Sequence, residues 1–195
     1  MLKTLINNII ISIIFIYLII RKLFINEDDF NKNSSSYNKL VIQIQDILEK
    51  NVVGFFRTGS TATGIAIGSS DLDIACLTGN VQLATTKLRE YGFECTGQYP
   101  HFENWTQLKN HVTHNLDCDV KIYFDKKEFD RLKLAISNYV QKIDFVERYW
   151  VIAQKQWYCA SNQLNAYNRV KTAFYVKHGI YNNNNNNNNN KQHCL

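Results

Sequence analysis

Two short stretches alternate polar and apolar residues so regularly that an extended backbone suits them best. Asp71–Leu77 reads DLDIACL, and Cys118–Phe124 reads CDVKIYF. Side chains alternate across a strand, so residues two apart share a face. Asp71 and Asp73 then point the same way, opposite Leu72 and Ile74. Asp119 sits among alternating apolar residues and is the best candidate for a third carboxylate on a neighbouring strand, with Asp117 the fallback. Carboxylates held so close repel one another unless a cation lies between them. Oxygen donors of this kind suit Mg2+ or Mn2+ beside a polyphosphate, and the third carboxylate completes a site for two such ions.

The residues upstream add a second element. Val52–Phe56 is a short β-like run that ends at Arg57-Thr58-Gly59-Ser60. A Gly-Ser turn after a strand lets backbone N–H groups and a hydroxyl approach a phosphate closely. Isolated D-x-D pairs are common on exposed edges. A strand, a Gly-Ser turn and then a D-x-D strand within about two dozen residues is far less common by chance.

Around this centre the chain has room for one domain with a core, plus appendages, since it is 195 residues long. Residues 37–50 carry apolar positions at Leu40, Val41, Ile44, Ile47 and Leu48, the spacing of an amphipathic helix. Val81–Tyr91 reads as a helix stopped by Gly92. From Arg131 to His178 there is no Gly or Pro, and a seven-residue apolar register runs throughout. One set is Leu132, Tyr139, Val146, Ala153, Ala160, Tyr167 and Phe174. The other includes Ile136, Ile143, Trp150, Trp157 and Leu164 and is broken only at Lys171. The large aromatics favour two or three packed helices over a two-stranded coiled coil, with the aromatics of 148–181 in the core.

Both ends differ from the middle. Leu5–Ile20 reads LINNIIISIIFIYLII and is followed by Arg21-Lys22, which predicts a membrane anchor over residues 1–25. No small-residue cleavage site follows, which argues against a removed leader. The basic pair leaves the remainder in the cytosol as a single-pass protein, and Asn33 and Asn104 then stay unglycosylated. Residues 26–38 read as a polar linker. Residues 148–195 hold six basic residues and no acidic one, compatible with phosphate partners. Residues 181–195 read as a disordered tail containing nine consecutive asparagines. Five scattered cysteines without C-x-x-C spacing argue against disulfide partners and a zinc site, and His111 and His114 lack a third ligand.

Gly59-Ser60 followed by Ser70-Asp71-Leu72-Asp73-Ile74, with Asp119 downstream, resembles the nucleotidyltransferase superfamily that includes DNA polymerase beta. GSTATG and SDLDI look most like the branch of cytoplasmic poly(A) polymerases and terminal uridylyltransferases. Lys155 and Trp157, placed after Asp144, match that branch's K-x-W spacing. The resemblance implies an α+β fold: a mixed sheet with flanking helices over 39–130, then a partial helical domain over 131–180. It implies that Gly59 and Ser60 meet the phosphates, that Lys155 reaches the triphosphate, and that Asp71, Asp73 and Asp119 are catalytic metal ligands. The substrates would be an NTP, UTP or ATP, and an RNA 3′ end. Three departures stand beside it. Cys159 replaces a second lysine, Leu132 stands where a ribose-contacting asparagine is expected, and no S-S-Y element lies near Tyr167. Two other readings stay open: an inactive, membrane-tethered relative serving as a binding module or without function, and a helical membrane protein that oligomerises through the 132–174 stripe.

Overall fold

The stretch Leu72–Thr78 is buried along its whole length and has a hydrogen-bonded strand on each side. A strand covered on both edges and both faces is the natural centre of a sheet. The computed structural model describes residues 27–48, 52–67, 70–108, 117–142 and 144–181. The expected anchor over 1–25, the asparagine run and the pair His111 and His114 lie outside them. Among the described residues no helix is long and apolar enough to cross a membrane.

In chain order the elements are α1 (Glu27–Leu48), β1 (Val52–Thr58), the short α2 (Gly59–Thr63), β2 (Leu72–Thr78) and α3 (Val81–Glu90), then β3 (Glu94–Gln98), β4 (Phe102–Gln107), β5 (Cys118–Tyr123), α4 (Lys126–Gln141), α5 (Phe145–Ala160) and α6 (Leu164–Lys177). The sheet order is β1-β2-β5-β4-β3. Among the described residues only β2 and β5 run parallel, and the other neighbouring pairs are antiparallel. This is an α+β fold with a mixed sheet flanked by helices and followed by a helical segment.

The alternation in DLDIACL sorts the two faces. Leu72, Ile74 and Cys76, with Val120 and Ile122 of β5, pack against Leu40, Ile44 and Leu48 of α1 and Leu88 of α3. Ala75, Leu77 and Tyr123 face the other way, onto Phe129, Leu132 and Ile136 of α4, Ile152 of α5 and Phe174 and Tyr175 of α6. Asp73, in phase with Ala75 and Leu77, is carried on this second face. Helix starts are set locally. Asp125 accepts hydrogen bonds from the Lys127 and Glu128 N–H groups, and Asp144 accepts from Val146 (2.9 Å) and Glu147 (3.1 Å).

Three sequence expectations need correction. Residues 27–38 are the first half of α1 rather than a linker. The hairpin β3–β4 lies where no strand was expected, because Glu94–Gln98 is too short and polar to show a period. The seven-residue register does not carry through α5: Trp150, Trp157 and Val146 are exposed, at 65%, 62% and 79%. The buried residues of α5 are Val151, Ile152 and Lys155. Turns around Lys142 and Ser161 break the helical phase, so a register counted across them selects the wrong face.

Ile152→Ala should therefore cost about 2–5 kcal/mol of unfolding free energy. Trp150→Ala should stay within about 0.5 kcal/mol of the parent, as expected for an exposed site. Denaturant unfolding of the two variants measures both, and a large loss for Trp150→Ala would restore the continuous register.

Candidate functional site

The site is built on the one parallel pairing. Asp73 of β2 lies directly opposite Asp119 of β5, and Asp71 immediately precedes β2. One oxygen from each of Asp71, Asp73 and Asp119 falls within 4.8 Å of the others. Asp117 lies outside this group and gives its backbone carbonyl to the Leu72 N–H at 2.9 Å.

Each carboxylate has a different environment. Asp119 accepts a short hydrogen bond from the Thr106 hydroxyl on β4. Asp73 is 5% exposed, and its Oδ1 accepts from Lys121 Nζ at 2.6 Å. Its Oδ2 is buried and has no hydrogen-bond partner among the described residues. Burial raises the Asp71 carboxyl above the usual carboxylate range, and the neighbouring Asp73 charge adds to that rise. Burial acts the same way on Asp73, but the Lys121 and Lys171 ammoniums override it and hold its carboxyl below the ordinary value. An orphaned, ionised carboxylate oxygen beside two more carboxylates is a donor set that fits a hard divalent cation such as Mg2+ or Mn2+.

The Gly-Ser turn closes onto this cluster. Gly59 adopts a left-handed φ of +64°, and a Cβ there would fall 1.9 Å from Asp73 Oδ2. Only glycine supplies both the conformation and the space. Ser60 is 1% exposed, and its Oγ accepts from Lys155 Nζ at 3.0 Å. Lys155 Nζ also donates to the Ile65 carbonyl at 2.7 Å, and the Ile65 N–H donates to the Ser60 carbonyl at 3.0 Å. Tyr175 Oη lies 3.4 Å from Ser60 Oγ. Helices α5 and α6 thus reach across to grip the turn that follows β1. Lys155 is completely buried; burial and, after it, the like charge of Lys171 push its pKa down to about 7.

All six residues singled out in the sequence thus gather around the Asp73 face of β2: Gly59 and Ser60, Lys155, and Asp71, Asp73 and Asp119. Three more belong with them. Lys121 shares the face of Asp119 because it is two residues on along β5. Lys171, the one break in the apolar register, is held well above the ordinary lysine value by Asp73, Tyr175 and Asp71 despite the opposing effect of burial. Tyr175 carried no polar signal in a run of aromatics. Leu132 is buried in the α4 core, and the Tyr167 ring lies under Lys155 Nζ at 5.3 Å. Among the described residues no disulfide forms: Cys76 and Cys118 are buried, and Cys95 and Cys159 are exposed.

The fold is shared with several solved structures. Solved structures of similar shape include a cytoplasmic RNA terminal U-transferase (TM-score 0.50, 18% identity, 74% of this chain and 43% of that one). Cid1 in complex with its short product ApU is another (TM-score 0.50, 21% identity, 74% and 45%). The conserved protein GrpB from Enterococcus faecalis is a third (TM-score 0.57, 19% identity, 75% and 89%). At these identities the likeness is one of fold. The chain spans less than half the length of the first two. Protein-family models and curated protein sequences give no match.

The depressed Lys155 has a thermodynamic consequence. In the unfolded chain a lysine titrates near its ordinary value of about 10.4, so above about pH 7 the unfolded state binds the extra proton. Stability attributable to Lys155 should rise with pH between about 7 and about 10.4, by at most about 1.4 kcal/mol per unit, and level off below about 7, where both states hold the proton. Unfolding at pH 7.0 and 8.5 tests this: Lys155→Met should flatten the difference, and an unchanged slope would contradict it.

Proposed function

We propose that the protein is a divalent-metal-dependent nucleotidyltransferase that adds a nucleotide, from UTP or ATP, to an RNA 3′ end, and that residues 5–25 tether it to a membrane. The observation that carries the catalytic part is the meeting of three carboxylates from adjacent parallel strands with a Gly-Ser turn gripped by Lys155. The RNA terminal U-transferase and the Cid1–ApU complex, which share the fold, point to the same substrate class.

In this reading Asp71, Asp73 and Asp119 hold the metal, which when bound supplies Lewis-acid charge beside the phosphates. The chain's own residues do the rest. Gly59 lets the backbone come close without a side chain in the way. Ser60 offers its hydroxyl to the triphosphate once Lys155 turns from it. Lys155, poised near pH 7, gains its proton as the phosphate charge approaches, because an adjacent anion favours the charged amine. Lys171 adds fixed positive charge from α6. Base choice needs buried hydrogen-bonding partners, and Leu132, Cys159 and the missing S-S-Y element leave few of them.

Incubating the full chain with an RNA oligonucleotide, Mg2+ or Mn2+ and each labelled NTP should give slow, weakly selective 3′ extension. Asp73→Ala should abolish it. Rapid addition of a single nucleotide type would contradict the account of selectivity. Failure to bind either Mn2+ or NTP would overturn the catalytic reading in favour of an inactive relative.

A further inference from the structure

We propose that the three carboxylates take a single divalent cation, and that the Lys121 ammonium stands in the position of a second one. This rests on the metal-binding reading above and deepens it. Sites of the two-metal type place their ions about 3.5–4 Å apart, with carboxylates shared between them. Asp73 contributes an oxygen to the cluster, and of its two oxygens only Oδ2 is left without a partner among the described residues. Oδ1 accepts from Lys121 Nζ at 2.6 Å, while Oδ2 is buried with no partner among the described residues.

The placement of Lys121 follows from the fold. Along β5 it is two residues beyond Asp119, so it shares the Asp119 face. Its register partner on β2 is Ala75, two residues beyond Asp73, which makes Asp73 its diagonal neighbour across the parallel pair. A long side chain reaches that neighbour across the small Ala75 side chain. The Lys121 side chain is 23% exposed, that of Asp73 is 7%, and α4–α6 cover the same face. A second divalent ion against Asp73 Oδ1 would have to displace this ammonium or sit beside it. A lysine supplies positive charge that cannot dissociate from the chain, but it does not exchange ligands as an ion does. The cluster thus divides its cations: one recruited by Asp73 Oδ2 with Asp71 and Asp119, the other built in.

Electron paramagnetic resonance of the full chain in detergent, saturated with Mn2+ and a non-hydrolysable UTP analogue, reads the number and spacing of the ions. The parent should show only a mononuclear Mn2+ spectrum from the protein. Lys121→Ser and Lys121→Met should each gain a spin-coupled Mn2+ pair, and Lys121→Arg should remain mononuclear. A coupled pair in the parent overturns the inference by itself, whatever the folding of the variants. Failure of both folded variants to gain a second ion, with melting followed by circular dichroism, overturns it as well. If the parent binds no Mn2+ at all, the metal-binding reading fails instead, a result distinct from either of these.

Discussion

The parallel pairing of β2 with β5 sets Asp73 against Asp119 on a face that the helices cover, and the rest of the site answers that placement. Two carboxylates in register, with Asp71 beside them, would destabilise a covered surface if nothing offset their charge. Lysines from three separate elements converge on the region: Lys121 from β5, Lys155 from α5 and Lys171 from α6. Their states differ with their neighbours. Lys121 and Lys171 gain from the carboxylates and stay charged. Lys155, deeper and next to a like charge, is held near neutrality on the pH scale, where an incoming anion can shift it.

The same geometry ties the helical segment to the sheet. Lys155 and Tyr175 both address Ser60, so the turn after β1 is positioned by helices 95 and 115 residues downstream. Below that turn, Gly59 presses its backbone against Asp73 so closely that a methyl group would not fit. Beyond α6 the chain is tied back as well, since Arg131 donates to the Gly179 and Ile180 carbonyls and Glu147 pairs with Lys177 and His178. Sheet, turn and helices therefore share one electrostatic centre. A change in the charge of that centre is felt in the packing of all three.

Much of this centre was legible in the sequence because strand alternation is a two-residue rule. DLDIACL and CDVKIYF declare which residues share a face, and the Gly-Ser turn marks where β1 ends. The lysines were harder to read. Lys121 has the same alternation as Asp119, but pairing it with Asp73 requires the strand register. Lys171 stood out only as a break in an apolar pattern. That pattern misled at α5, because turns reset the helical phase and left Trp150 and Trp157 on the outer surface. The β3–β4 hairpin was missed because its strands are short and its edge is polar, so partner strands rather than local pattern define it.

The most direct measurement is a diffraction experiment on crystals of the full chain soaked in Mn2+, located by anomalous scattering. The account predicts a peak bounded by Asp71, Asp73 Oδ2 and Asp119, with Gly59 still against Asp73. A strong peak elsewhere, with the three carboxylates bare or Asp119 drawn away from Asp73, would contradict it.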